Sequence, residues 1–489
     1  MAEVPREIDF VRARLWRVRL PVGLELDQVL KLVDGQPYPL CLVGAWADGS
    51  ALVSSAPLRV AQRDSDPFEL LASVPEVDDP EVDDPEVDDP EVDDPEWGAV
   101  GGGWFGWLGY RLAQRVEQVP LAEQRPVPLP EFHLAYYDNV LRRDPDGVWW
   151  FEALVTPERQ TALRARLKQL LRALPASSRR SPAKDAAAGV PTPLRLTAAA
   201  GAPAPLRLSA AAARAHLSAV GECRERIAAG EIFQANICLR LESEYDGTAI
   251  ALLRSALSRN PHLPQYTAAF DTPDAGVLSL SPELFLRRQG RRVRSGPIKG
   301  TVARVQEPGQ ATRALAQLRA SSKDAAEHVM IVDLMRNDLG RVSQYGTVTA
   351  PRRPTAEGHP GLWHLVSNVE GTLRPGVSDA DLLRATFPPG SVTGAPKVQS
   401  LIVIAELEAT GREIYTGAIG FVSPLAGLEL NVAIRTLEFS QGRLWLGVGG
   451  GIVADSEPAA ELAETLVKAR PVADAVGTVI AFTDQRPAR

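Results

Sequence analysis

The sequence has few lysines and cysteines and contains no long apolar run. Only 7 of its 53 basic residues are lysines, so arginine is the usual cation, and a lysine inside a motif suggests that an amine is needed there. The 3 cysteines, Cys41, Cys223 and Cys238, form no C-x-x-C pair, which favours reduced thiols. No stretch approaches the roughly 18 apolar residues of a membrane span, and the charged N-terminus is unlike an export signal. We therefore expect a cytoplasmic location.

Nucleotide-binding and nucleic-acid signatures are also missing. The glycine clusters contain neither GxxxxGK[ST] nor GxGxxG, and no basic helix or basic-aromatic pattern suggests a nucleic acid partner. The net charge of −8 is set by residues 76–96, which hold 13 acidic residues and no basic ones, leaving +5 on the rest of the chain. The overall acidity is therefore not evidence about partners.

Two segments of biased composition divide the chain. Residues 75–96 repeat the pentapeptide PEVDD, whose prolines and like charges oppose helix and sheet formation, so we expect a disordered loop. Residues 173–212 are rich in Ala and Pro and predict a linker. The remaining parts are an N-terminal region, 1–172, a C-terminal region, 213–475, and a tail, 476–489.

Local patterns predict strands and helices in both regions. Short apolar runs bounded by turn residues, at 38–46, 102–110 and 148–155, predict N-terminal strands. Ser209 can cap an Ala-rich helix that ends near Gly230, and the following IFQANICLRLESEY alternates like a strand. Strands and helices then alternate, which predicts an α/β or α+β fold for the C-terminal region.

Two predicted helices carry acidic faces. In SSKDAAEHVMIVDLMRNDLGRV, the polar cluster is Asp324, Glu327 and His328, and the residues able to be buried are Val329, Ile331, Val332 and Leu334. In EPAAELAETLVKA, one stripe contains Glu457, Glu461, Glu464 and Lys468. The two faces could share Mg²⁺, which takes few carboxylates, keeps waters and binds a substrate oxyanion. For either helix taken alone, the alternative explanation of its acidic residues is a charged face exposed to solvent.

Glycine clusters and single cations add anion-binding features. GVGGGIVADS, residues 447–456, predicts a loop after an apolar strand, and FPPGSVTGAPK, residues 387–397, predicts a second loop leading into a helix. Arg435, in the strand-like NVAIRTLEF, can clamp a carboxylate. Lys299, between an apolar residue and a glycine in SGPIKGTVAR, could be a desolvated nucleophile or an ordinary surface lysine. Together these features indicate a small polyanionic metabolite.

Seven motifs, in order, resemble those of the chorismate-utilising enzymes: GPIKGT, AEHVMIVDLMRNDLGRV, WHLVSNVEGTL, FPPGSVTGAPK, GAIGFVSP, LNVAIRT and GVGGGIVADSEPAAELAET. That family includes anthranilate synthase component I, aminodeoxychorismate synthase component I, and the isochorismate and salicylate synthases. The resemblance covers residues 213–475 and extends weakly into the N-terminal region through GGGWFGWLGY. It implies an α/β fold with two large sheets, flanking helices and the site between the sheets.

The resemblance also implies roles for individual residues. Magnesium would be bound by Glu327 and Glu464. Glu461 would act through a water molecule or would contact those ligands without touching the ion. Ser391 would hydrogen-bond substrate or carboxylate, and His364 would lie near the ring. The two substrate carboxylates would be held by Tyr415, Arg435, Gly449, Gly450 and Lys468.

Two positions separate the branches of the family. The water-using synthases have a lysine that activates water where this chain has Gln234, so water activation is disfavoured. Anthranilate synthases have a small residue where PIKGT has Lys299, and this lysine resembles that of the aminodeoxychorismate synthases. That resemblance implies that Lys299 attacks C2 of chorismate while Glu283, in SPELF, protonates the departing C4 hydroxyl. Ammonia would then attack C4 and displace the lysine.

Ammonia is expected from a partner. None of the cysteines stands in a nucleophile-elbow context, so the resemblance implies a separate glutamine amidotransferase subunit. The product would serve p-aminobenzoate formation, for folate or a secondary metabolite. Alternatives are anthranilate synthase component I, another aminating chorismate enzyme, and a regulatory paralogue that binds chorismate or metal without chemistry.

Overall fold

The structure is a computed structural model. It describes residues 12–77, 98–120, 122–174, 201–303, 322–351, 354–359 and 362–483. For residues 299–303, 322–326, 356–359 and 362–364 it describes the backbone alone. Most of the predicted acidic loop, residues 78–96, and most of the predicted linker, residues 175–200, lie outside the described residues.

The described residues form strands β1 to β24. In chain order these are Arg14–Arg19, Leu40–Gly44, Ala51–Ser54, Arg59–Val60, Gly103–Leu108, Phe132–Tyr137, Asn139–Arg143, Trp149–Val155, Leu206–Ser209, Gln234–Glu244, Tyr266–Asp271, Gly276–Ser281, Leu284–Gln289, Arg292–Gly296, Ile298–Ala303, Thr355–His359, Leu362–Val366, Val369–Thr372, Gly394–Ala395, Ala418–Ser423, Gly427–Val432, Thr436–Ser440, Arg443–Ile452 and Ile480–Thr483.

They also form helices α1 to α9. In chain order these are Leu26–Val33, Pro67–Ala72, Gln160–Ala173, Ala210–Ala228, Ala249–Arg259, Ser322–Gly340, Asp379–Thr386, Lys397–Leu407 and Pro458–Val476. Short 3₁₀ turns lie at Trp46–Asp48, Tyr110–Arg115 and Gly390–Val392.

Two large sheets organise the fold. The first has 13 strands in the order β1-β8-β7-β3-β2-β11-β12-β22-β23-β10-β9-β24, with β19 also paired to β10. The second has 8 strands in the order β18-β14-β13-β21-β20-β5-β6-β4, and β15-β17-β16 form a third, small sheet. Both large sheets contain strands from before residue 173 and after residue 213. The predicted α/β fold with two large sheets and flanking helices is confirmed.

The two large sheets share an aromatic core. Phe270 of the first sheet and Phe105 and Phe421 of the second belong to one buried cluster with Trp46. Full burial of side chains of this size stabilises the fold by roughly 2–3 kcal/mol each. Helices α4, α5 and α9 cover the outer face of the first sheet, and α2, α6 and α7 that of the second. The core therefore fixes the relative positions of strands far apart in sequence.

Two of the predicted elements adjoin the candidate site. Ser209 caps α4, since its hydroxyl accepts the Ala212 N–H at 3.1 Å, and the helix ends at Ala228. After it, β10 pairs with β23 over ten residues, from Ala235 opposite Ile452 to Glu244 opposite Arg443. The predicted helix and strand are both confirmed.

Three local predictions are wrong. The glycine cluster at 447–451 is not a loop but part of β23, because β10 supplies a pairing partner along its whole length. Val329 is not buried but 63% exposed, because α6 turns Ile331 and Met335 toward the core instead. Arg435 does not lie within a strand but in the bend between β21 and β22, with φ of 51°.

Candidate active site

One edge of β23 is open where the glycines lie. Strand β22 pairs with β23 only as far as Leu446, whereas β10 continues beside it to Ile452. Along residues 447–452, the side of β23 away from β10 therefore has no neighbouring strand among the described residues. Backbone N–H groups at such an edge can bind an anionic oxygen, and glycine leaves the approach unobstructed.

Gln234, at the start of β10, faces this glycine stretch. Its side chain is 1% exposed, and its Oε1 has no hydrogen-bond partner within the described part of the chain. The amide lies over Gly451, where an added Cβ would be 1.9 Å from Nε2. A buried, unsatisfied carbonyl oxygen is costly, so it suits a position where a ligand can donate a hydrogen bond.

The first turns of α9 place charged side chains beside β23. Glu461 is 4% exposed and accepts the Ser456 hydroxyl at 2.6 Å. Glu464 pairs with Lys468 at 2.9 Å, and Lys468 Nζ lies 3.4 Å from the carbonyl oxygen of Gly449. The Cβ position of Gly450 is 3.4 Å from both Glu461 Oε2 and Lys468 Nζ. The predicted glycines and three predicted α9 residues are thus brought together.

The turn that contains Ser391 lies between β10 and α6 in space. Ser391 is 8% exposed within the 3₁₀ turn Gly390–Val392, and the Cβ position of Gly390 is 2.6 Å from Leu334 of α6. Two residues after the turn, β19 pairs with the start of β10, Ala395 opposite Gln234. Glu327 is half-buried on the same α6 helix. The turn therefore lies between Gln234 and the helix that carries Glu327.

A buried ion pair connects α6 to the segment that follows the Ser391 turn. This pair was not predicted from the sequence. The Lys397 ammonium contacts the Asp338 carboxylate of α6 and donates to the Thr386 carbonyl at 2.8 Å. Burial raises the pKa of Asp338, and the neighbouring Lys397 opposes that rise. A lone lysine following a proline gives no sequence signal of this contact.

Tyr415 packs against the other end of the glycine stretch. Its ring carbon Cδ1 lies 2.4 Å from the Cβ position of Gly447, and its hydroxyl is 3.5 Å from Cys238 Sγ. The backbone N–H of Tyr415 donates to Glu438. Burial raises the pKa of the Tyr415 hydroxyl, and it raises that of the Cys238 thiol to about 12. Both groups are therefore neutral at physiological pH.

Arg435 and Glu283 form a second group. The bend at Arg435 is held by its carbonyl, which accepts the Leu280 N–H at 3.0 Å. Burial lowers the pKa of Arg435, and the nearby Glu283 carboxylate opposes that shift. Glu283 itself is 4% exposed. A half-buried arginine beside a buried carboxyl group suits recognition of an anion next to an acid.

Lys299 and His364 lie on neighbouring strands of the small sheet. Lys299 of β15 is opposite Leu365 of β17, and His364 is opposite Thr301. Strand β15 also packs against α6. The side chains of Lys299 and His364 are outside what the structure describes, so only their backbones are placed.

The acidic residues of α9 are of a kind that can bind magnesium. No group of three or more His, Cys, Asp or Glu that could hold a metal occurs among the described residues. Magnesium does not require one, since it commonly uses one or two carboxylates together with water and substrate oxygens. Glu464, at 52% side-chain exposure, can face solvent and substrate, whereas Glu461 is held by Ser456. The carboxylates of Glu461 and Glu464 are thus of the kind that Mg²⁺ binds.

Comparison with known proteins defines the class of enzyme. Residues 52–474 match the family of chorismate binding enzymes. The chain belongs to that family, and it is a chorismate-utilising enzyme. None of the helices in the described ranges is both long and apolar enough to cross a membrane.

Similar proteins include members of several branches. The chain is 38% identical to anthranilate synthase component 1 of Streptomyces coelicolor over 383 residues, covering 77% of this chain and 73% of that protein. It is 36% identical to aminodeoxychorismate synthase component 1 of Salmonella typhimurium over 368 residues, 75% of each. Anthranilate synthase component I of Streptococcus pneumoniae superposes with a TM-score of 0.66 at 25% identity, covering 96% of this chain and 94% of that one. The menaquinone-specific isochorismate synthase of Escherichia coli, at 19% identity and the same TM-score of 0.66 over 95% and 94% of the chains, shares the fold.

Proposed function

We propose that this enzyme is an aminodeoxychorismate synthase component I, which converts chorismate and ammonia to 4-amino-4-deoxychorismate. The observation that carries the proposal is Lys299 in PIKGT. The resemblance gives anthranilate synthases a small residue at this position. Overall identity does not separate the branches, since it is 38% to one relative and 36% to the other. The assignment therefore depends on one side chain and its chemistry.

In this proposal two allylic displacements deliver nitrogen to C4. Lys299 attacks C2 as Glu283 gives its proton to the departing C4 hydroxyl, which leaves as water. Ammonia then attacks C4 and the C2–lysine bond breaks, restoring the double-bond positions of chorismate. Glu283 is assigned the role of proton donor because it is a buried carboxyl group next to Arg435, the candidate carboxylate clamp.

The remaining candidate residues orient the substrate. Arg435, Tyr415, Lys468 and the backbone of Gly449 and Gly450 would hold the two carboxylates, with Gln234, Ser391 and His364 around the ring. Glu327 and Glu464 would hold Mg²⁺, with Glu461 acting through water, and the bound ion would neutralise the ring carboxylate. Holding the ring in one orientation is itself a large contribution to the rate.

Ammonia would be supplied by a separate glutamine amidotransferase subunit. The relatives named component 1 support this arrangement. Within the described chain, the three free cysteines are buried or half-buried, and burial raises the pKa of each thiol, so none is a thiolate nucleophile for glutamine. The cytoplasmic location and a role in p-aminobenzoate and folate formation remain predictions.

Product identification tests the proposal. Purified protein is incubated with chorismate, Mg²⁺ and an ammonium salt, with and without added aminodeoxychorismate lyase. We expect an amine product that retains the enolpyruvyl group and yields p-aminobenzoate only when the lyase is present. Fluorescent anthranilate formed without the lyase would contradict the proposal.

Anthranilate synthase component I is the second candidate. The 38% identity to the Streptomyces coelicolor enzyme favours it. The two activities differ in the position of the amino group and in pyruvate release, so the same reaction mixture, assayed for pyruvate, separates them.

A further inference from the structure

Arg412 lies where three segments with candidate substrate residues meet. Its side chain is 3% exposed, and its guanidinium carbon lies 4.8 Å from the ring centre of Tyr110. It is not one of the residues to which the family resemblance gave a role. It lies in the connection between α8 and β20.

The guanidinium binds main-chain oxygen atoms on two other segments. Its Nη1 donates to the carbonyl of Val392 at 2.8 Å, and its Nη2 donates to the carbonyl of Asn236. The buried Glu408 carboxylate accepts from Nε at 2.9 Å and from Nη2 at 2.6 Å. Glu408 also accepts the backbone N–H of Cys238 at 2.8 Å, which adds a second tie to β10.

Each of these contacts is close to a candidate substrate residue. Val392 directly follows Ser391, Asn236 lies two residues after Gln234, and Tyr415 lies three residues after Arg412. The planar fork of arginine can reach acceptors in several fixed directions at once, which a lysine ammonium on a flexible stem does not reproduce. One side chain thus links the Ser391 turn to β10, alongside the backbone hydrogen bond from the Asn236 N–H to the Thr393 carbonyl at 2.8 Å.

We propose that Arg412 is a positioning residue for substrate binding and turnover, acting through the carbonyls of Val392 and Asn236 without touching substrate. The inference rests on the proposed function, because it takes Ser391, Gln234 and Tyr415 as substrate residues. Misplacement of such groups by about 1 Å can reduce the rate on the order of 100-fold. Arg412 therefore controls kcat/KM beyond any effect on folding.

The test is Arg412→Lys, compared with a buried arginine elsewhere. Arg142 is 0% exposed and donates to the Ala47 carbonyl at 3.1 Å, far in sequence from the candidate site, so Arg142→Lys is the matched control. Steady-state kinetics with chorismate and ammonium, at a temperature where both variants are folded, should show kcat/KM about 10- to 100-fold lower for Arg412→Lys. The control should stay within about twofold of the parent after correction for folded fraction.

Glu408→Gln provides a second variant if Arg412→Lys does not fold. It keeps an oxygen acceptor for Cys238 but weakens the hold on the guanidinium, so kcat/KM should fall in the same direction. Chorismate protection against thermal unfolding, which needs no turnover, should be smaller for both variants than for the parent and the control. Equal kcat/KM and equal protection in all four proteins would overturn the inference.

Failure of the proposed reaction gives a different result. If the parent forms no amine from chorismate, the proposed function is wrong, and the protection assay still decides whether Arg412 positions the chorismate site. Loss of protection in Arg412→Lys with protection retained in Arg142→Lys supports the inference. The same protection in both overturns it.

Discussion

The side-chain amide of Gln234 lies directly over Gly451 on the neighbouring strand. An added Cβ at residue 451 would be 1.9 Å from Nε2 and 3.0 Å from Cδ of that amide. Because Gln234 is 1% exposed, it has little room to move aside. The absence of a side chain at 451 therefore determines where the amide of Gln234 can lie.

Gly451→Ala should displace Gln234 and impair substrate use with little loss of fold. We expect kcat/KM for chorismate to fall about 10-fold or more, since the displaced amide is a candidate substrate group. The control is Gly221→Ala, within α4, where no heavy atom lies within 4 Å of the added Cβ. That change should leave kinetics unchanged and raise stability by about 0.5–1 kcal/mol, as alanine does in helices. Unchanged kinetics in Gly451→Ala would show that Gln234 can relocate freely.

The secondary-structure elements that carry the site could be predicted where the local sequence signals agree with each other. They were harder to predict where pairing with a distant strand determines the local conformation. Ser209 and the Ala-rich run after it define α4, and the alternation after Gly230 defines β10. The glycines at 447–451 carry a local preference for loops, which pairing with β10 overrides. The bend at Arg435 depends on Leu280, and the contact of Arg412 with β10 depends on Asn236. Both partners are more than a hundred positions away, which no local pattern encodes.

Asp338→Asn should destabilise the protein markedly. The change leaves the Lys397 ammonium buried beside α6 without its counter-charge, and breaking a buried pair costs about 3 kcal/mol or more. The free energy of unfolding of parent and variant is measured by urea denaturation. The control is Asp333→Asn on the same helix, where the pair with Arg336 at 3.2 Å is exposed and the expected change is about 0.5 kcal/mol or less. Similar losses for both substitutions would show that burial does not govern the Lys397 pair.

Glu429 should make stability fall as pH rises. Burial raises the pKa of Glu429 from 4.5 to about 7, although Arg287 opposes the rise. The folded state thus binds the proton more tightly than the unfolded state, so this contribution is complete below pH 4.5 and is lost as pH rises to about 7.

Glu429→Gln removes that titration. Its side-chain oxygen can still accept the Ala47 N–H, which Glu429 accepts at 2.8 Å. Between pH 5 and pH 8, the parent should lose up to about 3 kcal/mol relative to the variant in urea unfolding. The exposed Glu370 provides the control Glu370→Gln, whose stability should follow the parent. A constant difference between parent and Glu429→Gln across this range would contradict the prediction.

Magnesium dependence should require Glu327 and Glu464. Glu327→Gln and Glu464→Gln should each abolish turnover of chorismate and remove any rise in melting temperature that Mg²⁺ with chorismate gives the parent. Glu457→Gln is the control, because Glu457 lies at the start of the same α9 helix, 70% exposed and paired with Arg224 at 3.6 Å. Near-normal activity in Glu327→Gln would show that α6 supplies no ligand to the metal site.

Lys299 should become covalently attached to substrate. Lys299→Ala should lose most aminodeoxychorismate formation, and it should retain slow attack at C2 by ammonia or water because Glu283 and the carboxylate-binding residues remain. Lys299→Arg should fail as well, since a guanidinium stays protonated and is no nucleophile, although it keeps the positive charge. Intact-protein mass spectrometry of a quenched reaction without ammonia should show an adduct in the parent and none in either variant. Lys168→Ala, at an exposed position of α3, should keep both the adduct and the activity. Full activity of Lys299→Arg with no adduct in the parent would reduce the lysine to an electrostatic role and favour direct amination of chorismate.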